Sequence, residues 1–87
     1  MLRSLIEPTR FETGCLSCSM YRDIQDSSVV IWAEEWKTQK DLEHHLRSPQ
    51  YKKNLAAFDM SNAQPDMRFN TVVETKGMQL IEEARGM

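Results

Sequence analysis

Cys15 and Cys18, in the stretch FETGCLSCSMYRD, have the Cys-x-x-Cys spacing of a redox couple or of half a zinc site. The backbone beneath them argues against both. After Gly14, residues Cys15, Ser17, Ser19 and Tyr21 alternate with Leu16, Cys18 and Met20 in the period-two pattern of a strand. In a regular strand, residues three apart point to opposite faces with Cα atoms about 10 Å apart, and a disulfide needs about 7 Å or less with converging Cβ vectors. A zinc site needs two further ligands at suitable spacing, whereas His44 and His45 are adjacent and no second Cys-x-x-Cys follows. The thiols are expected to be independent and reduced. No Ser-His-Asp spacing, Gly-rich phosphate loop or metal-ligand cluster appears.

The elements that must position any chemistry fit one small domain over residues 1–87. A chain this short buries only about two-thirds of its unfolded surface, so self-association would add useful burial. A net charge of -2 with mixed signs offers no basic field for nucleic acid. No apolar run approaches the roughly 20 residues of a membrane span, and Arg3 interrupts the short Leu2 to Ile6 segment that a signal peptide would require. Two cysteines without a pairing suit a reducing, cytoplasmic compartment.

Leu2, Leu5, Ile6 and Thr9 follow one helix face, which Pro8 is expected to kink or end. A strand over Cys15–Arg22 and a second over VVIWAEEW, separated by the turn-forming DIQDSS, read as an antiparallel hairpin. Thr38 followed by Asp41 opens a helix carrying Leu42, His45 and Leu46. Ser48 and Pro49 start another, with Tyr51, Leu55 and Phe58 on one face. SNAQPD reads as a loop, MRFNTVVET as a third strand, and the segment after Gly77 as an amphipathic tail with Leu80, Ile81 and Ala84 as its apolar face. The second strand is apolar on both sides, with Val29, Ile31 and Ala33 on one and Val30, Trp32 and Trp36 on the other. Helices cover one side, and the other is expected to meet the sheet of an identical subunit.

The succession IEPTRFETGCLSCSMYRD, then EEW running into DLEHHLRSPQY, resembles the antibiotic biosynthesis monooxygenase family over roughly residues 5–58. That resemblance implies an α+β, ferredoxin-like dimeric α+β barrel, with an antiparallel sheet and helices on one face. Its members include enzymes that oxidise polycyclic aromatics or quinols with dioxygen and neither metal nor flavin, and others that degrade haem. The leading expectation is a cofactor-independent monooxygenase acting on a phenol, hydroquinone or anthrone-like substrate, as a homodimer or higher homo-oligomer with no nucleic-acid or membrane partner. Alternatives are a non-catalytic dimer that binds a small hydrophobic ligand or serves as an interaction module, and, more weakly, a haem-degrading relative.

Glu34 and Trp36 match the family's E-x-W, and His45 matches its A-H-L histidine. Gln50 stands where a second histidine is common, and Cys18 where an aromatic is usual. As catalytic candidates, Trp36 offers a flat wall with an indole N–H, and His45 a base titrating near neutrality. As substrate-binding candidates, Glu34 can orient His45 or Trp36, and Arg68 and Asn70 can anchor a phenolate or quinone oxygen. Each also has a plain structural reading: core packing for Trp36 and His45, a local ion pair for Glu34, and a solvated edge for Arg68 and Asn70. His44 is expected to be solvated.

Ferredoxin-like relatives begin with a strand that lies in the middle of the sheet, whereas the first ten residues here read as helix. Three strands per chain are therefore expected, with the gap closed by direct pairing or by a partner's strand, because unpaired backbone groups inside a sheet are too costly to persist. The same reasoning raises the expectation of a start inside a longer natural protein, with reduced activity and greater dependence on oligomerisation.

Overall fold

A computed structural model describes residues 2–60 and 65–86. A 3-10 turn over Leu2–Leu5 runs directly into helix α1, Ile6–Arg10. Pro8 does not end it, since α1 runs on to Arg10. It occupies the first turn of α1, where backbone N–H groups have no intrahelical acceptor in any case, so its missing donor costs nothing. Leu5 and Thr9 turn inward, as their spacing predicts. Gly14 ends the turn that follows, at φ 85°, and a Cβ there would collide with the Asp41 side chain. Only glycine meets both demands without strain.

Strands β1, Cys15–Arg22, and β2, Val30–Trp36, form the expected antiparallel hairpin. Helix α2, Gln39–Leu46, starts at Thr38, whose hydroxyl accepts the Asp41 N–H at 3.1 Å. Helix α3, Pro49–Met60, starts after Ser48, whose hydroxyl accepts the Tyr51 N–H at 3.1 Å. Each cap satisfies a donor that the helix itself leaves open. Part of the expected SNAQPD loop, residues 61–64, lies outside the described residues. Strand β3, Asp66–Thr71, and helix α4, Met78–Arg85, follow. Among the described residues no helix is long and apolar enough to cross a membrane.

The sheet has three strands in the order β1-β2-β3. It is mixed, not antiparallel throughout: β3 pairs parallel to β2, with Trp32 opposite Met67 and Glu34 opposite Phe69. The cause is the connection. After β2 the chain crosses through α2 and α3 and re-enters the sheet in the same direction, the geometry of a βαβ unit. Direct pairing of β2 with β3 is one of the two expected ways of closing the sheet.

A bulge between Cys15 and Ser17 alters the expected alternation of β1. Cys15 pairs with Trp36 and Cys18 with Glu34, so both cysteines lie on the same face rather than on opposite ones. The extra residue of the bulge, Leu16, shifts the phase of the strand by one. Both thiols are nevertheless free. Burial, then the nearby Glu34 carboxylate, pushes Cys15 up to about 11 and Cys18 up to about 12, so neither is an effective thiolate at neutral pH.

Helices α1, α2 and α3 lie on the face that carries Cys18, Trp32, Glu34 and Trp36. There Leu5, Cys18, Trp32, Ala57 and Phe58 form the hydrophobic core, with the Trp32 and Phe58 rings edge-to-face at 5.2 Å. On α3, Tyr51 and Phe58 are buried as their spacing predicts, but Leu55 is half exposed and Asn54 is buried in its place. Asn54 donates to the Thr9 hydroxyl at 3.5 Å and accepts from Gln50 at 3.0 Å, a polar tie between α1 and α3 that an apolar count does not anticipate. On the opposite face, Tyr21, Ile31 and Ala33 sit among Ser17, Ser19, Glu35 and Asn70, and no described helix covers them.

Candidate functional site

Period-two spacing on β2 puts Trp32, Glu34 and Trp36 on one face, and all three are fully buried. The Glu34 carboxylate accepts the indole N–H of Trp32 at 2.7 Å through one oxygen and that of Trp36 at 2.9 Å through the other. His45, on the inward face of α2, brings its Nε2 to 3.2 Å from Glu34 Oε1. This contact is an ion pair more than a hydrogen bond, because Nε2 is not aligned on that oxygen. On the other side of the ring, Nδ1 meets the Glu12 carboxylate at 2.5 Å. Glu12 belongs to the turn between α1 and β1, and its side chain is 21% exposed, whereas that of His45 is 0%.

Aromatic rings complete the enclosure. Trp36 stacks on the imidazole with centroids 4.8 Å apart and planes at 29°, and Tyr51 from α3 tilts against it at 5.1 Å. Phe69 of β3 meets Tyr51 edge-on at 6.5 Å. A cation against the face of an indole is favoured by the ring quadrupole.

Charge follows from this geometry. Burial by itself would push His45 down, but the carboxylates of Glu34 and Glu12 outweigh it and hold the imidazole above its ordinary 6.5. Burial would likewise push Glu34 up, yet His45 and the indoles of Trp32 and Trp36 bring it below its ordinary 4.5. Tyr51 is raised, by burial first and then by the Glu34 carboxylate. Both shifts favour the charged pair, with the imidazole in its protonated form facing the Glu34 carboxylate.

The residues singled out in the sequence therefore divide. Glu34, Trp36 and His45 come together, and Glu34 orients both of the others. Trp36, however, does not present a bare wall, since His45 covers its face and Glu34 takes its N–H. Arg68 and Asn70 lie on the opposite face of the sheet, in register with Ala33 and Glu35. Arg68 pairs with Asp66 at 2.8 Å, while Asn70 lines a shallow polar depression with Ser17, Ser19, Tyr21, Ala33 and Glu35. His44 is exposed, as expected. Two members of the cluster escaped the sequence reading. Trp32 was legible, because Trp-x-Glu-x-Trp on a strand places both indoles beside the carboxylate. Glu12 was not, since only the fold brings it to a histidine 33 residues away. Among the described residues no group of three or more His, Cys, Asp or Glu side chains is arranged to hold a metal ion.

Fold and cluster together define an α+β domain whose helix-covered sheet face encloses a carboxylate–imidazole–indole centre. The family model described as antibiotic biosynthesis monooxygenase matches residues 1–57, and the chain belongs to that family. Its α+β architecture is compatible with the ferredoxin-like fold of that family. An uncharacterized protein of Synechocystis sp. is 33% identical over 49 residues, covering 56% of this chain and 33% of the relative. The chain thus spans about a third of the length of the curated relative it matches. No solved structure matches significantly.

The pH dependence of stability follows from the two shifts. His45, raised in the fold, stabilises fully below its ordinary 6.5, and that contribution disappears as pH rises through its elevated folded value. Glu34, lowered in the fold, stabilises fully above its ordinary 4.5, and its contribution disappears as pH falls through its depressed value. The urea midpoint should therefore be highest between 4.5 and 6.5 and decline on either side. In Glu12→Gln the alkaline decline should be smaller and end at lower pH, because one of the carboxylates raising His45 in the fold is gone. A midpoint that ignores pH, or a variant profile identical to the wild type, would contradict the assignment.

Proposed function

We propose that this chain is a single-domain, cofactor-independent monooxygenase acting on a small phenol, hydroquinone or anthrone-like aromatic. The observation that carries the reading is the convergence of Trp36, His45 and Glu34 in one buried centre, within the residues that match the monooxygenase family. In such a reaction the substrate exchanges two hydrogens for one oxygen atom, both from one carbon in an anthrone and one each from carbon and hydroxyl in a phenol, and the second oxygen leaves as water. All four electrons come from the substrate, so no external reductant is required. The substrate first releases a proton to water, and the resulting anion reduces dioxygen and bonds to it as a peroxide anion. His45, whose protonated form the carboxylates favour, gives its proton to that peroxide and regains one from water, and loss of water from the peroxide leaves the carbonyl. The protein's part is to exclude water, orient the ring and keep that proton available. Two free thiols, that of Cys18 buried, suit a cytoplasmic setting.

One observation favours a second reading. Glu34, Trp36 and His45 are all fully buried, so a substrate reaches them only if side chains around His45 or Tyr51 move aside. A sealed cluster of this kind also serves a non-catalytic, ligand-binding or interaction module, in which its work is structural. Oxygen uptake with a panel of hydroquinones and anthrones separates the two. The monooxygenase reading expects uptake that falls roughly 10²-fold or more in His45→Gln. Quenching of Trp32 and Trp36 fluorescence by those aromatics, without uptake, would support the second.

We also propose that the chain works as a homodimer joined through its open sheet face. Tyr21 and Ile31 lie there without a helix above them, and stacking two such faces is the economical way to bury them. Burying one large side chain contributes about 1.5–3 kcal/mol, so Ile31→Glu should weaken association in sedimentation equilibrium. A wild-type protein that stays monomeric at micromolar concentration would remove this proposal.

A further inference from the structure

His45 is fully enclosed, yet the groups that enclose it are not equally fixed. Glu34 is itself fully buried and accepts both indole N–H groups, at 2.7 and 2.9 Å, so moving it would strand two buried donors. Trp36 and Tyr51 are buried as well. Glu12 differs. It belongs to the turn after α1, its side chain is 21% exposed, and among the described residues its carboxylate makes one hydrogen bond, accepting from His45 Nδ1 at 2.5 Å. Its backbone is tied on both sides, because its N–H donates to the Thr9 carbonyl at 3.1 Å and its carbonyl accepts the Cys15 N–H at 3.1 Å. Rotation of this one side chain therefore uncovers Nδ1 while the turn stays in place.

Chemistry restricts what can take the place of Glu12. A carboxylate on an imidazole N–H is a charge-assisted contact, stronger than a neutral hydrogen bond, so the replacement that costs least is another oxygen anion. The Trp36 and Tyr51 rings lie against the imidazole, with centroids at 4.8 and 5.1 Å, and a group bonded at Nδ1 has that aromatic surface within reach. A phenolate, or the enolate of an anthrone, combines both properties: an oxygen anion for the N–H and a flat ring for the aromatic neighbours.

We infer that His45 Nδ1 is an anion subsite which the chain fills with its own Glu12 carboxylate, and that an aromatic oxyanion binds by displacing it. The choice of ligand rests on the monooxygenase reading and deepens it, since it names the form in which the substrate is held: ionised at oxygen, the form that reduces dioxygen. Glu12 is then an internal competitor. A ligand engages only those molecules in which the Glu12 side chain has swung out, and its apparent affinity is reduced by that fraction.

Calorimetric titration of the intact chain tests this near pH 6, below the ordinary 6.5 of His45. The probes are 2,4-dinitrophenolate, which is ionised there, and its uncharged methyl ether. Removing the competitor in Glu12→Ala should tighten binding of the anion by about tenfold or more and leave binding of the ether within about twofold. Glu12→Gln, which keeps the shape without the charge, should fall between the wild type and Glu12→Ala. A general loosening of the fold would change both ligands alike. In the wild type, saturating 2,4-dinitrophenolate should move the ring-nitrogen resonances of His45 and the ether should not, a readout that needs neither variant to fold. Anion binding no tighter in Glu12→Ala than in the wild type, equal gains for both ligands, or His45 resonances that the anion leaves in place would each overturn the inference. Oxygen uptake separates it from the reading beneath it: an anion-selective gain without uptake keeps the subsite and removes the monooxygenase, and uptake without that gain does the reverse.

Discussion

A fully buried carboxylate is the constraint on which the rest of this structure depends. Taking a charge such as that of Glu34 out of water costs several kcal/mol unless donors and an opposite charge replace the lost hydration. Here they come from both neighbouring positions on β2 and from a helix. The indoles of Trp32 and Trp36 each donate to one oxygen, and the His45 imidazolium faces the same group. These demands fix which side of α2 faces the sheet. They also hold the turn after α1, because Glu12 balances the far nitrogen of the same ring. The Thr38 cap and the Ser48–Pro49 start are the local devices that set α2 and α3 at positions from which His45 and Tyr51 can reach inward.

The same constraint bears on function. A cluster that is well paired and sealed is stable in proportion to how little it moves, whereas oxidation of an aromatic requires that substrate and dioxygen reach it. Those demands conflict, and His45 is where they meet. It is held from both sides by carboxylates and from its face by Trp36, so any opening that admits a substrate must disturb charge and stacking together. Proteins that keep such a group commonly do so at a cost in stability that specificity or chemistry justifies. Membership of the monooxygenase family makes chemistry the natural reason, and the sealed geometry makes support the competing one.

What could be read from the sequence was whatever local rules decide. The hairpin followed from alternation and turn residues, the helix starts from Thr38, Ser48 and Pro49, and the face shared by Trp32 and Trp36 from period two. What could not be read depended on tertiary context. A single bulge at the start of β1 reversed the expected facing of Cys15 and Cys18, and nothing in LSCS marks it. The parallel sense of β3 comes from the crossover through α2 and α3, which alternation within β3 does not encode. Leu55 fits the helical stripe as well as Asn54 fits a polar surface, yet Asn54 is inside because Thr9 of α1 offers it a partner. Of the candidate site, Glu34, Trp36 and His45 were legible as residues. Their closure around one another, and the separation of Arg68 and Asn70 to the other face, required the fold.

The most direct test of this account is the unfolding free energy of Glu34→Gln in urea near pH 6. The substitution keeps the shape of the side chain while removing the charge, and it turns an amide N–H₂ toward groups that donate. If the buried carboxylate organises the fold, the loss should be about 3–5 kcal/mol, the cost of breaking a buried pair from one side. A loss below about 1 kcal/mol, the range of an exposed ion pair, would show that Trp32, Trp36 and His45 are held by packing alone and would contradict the account at its centre.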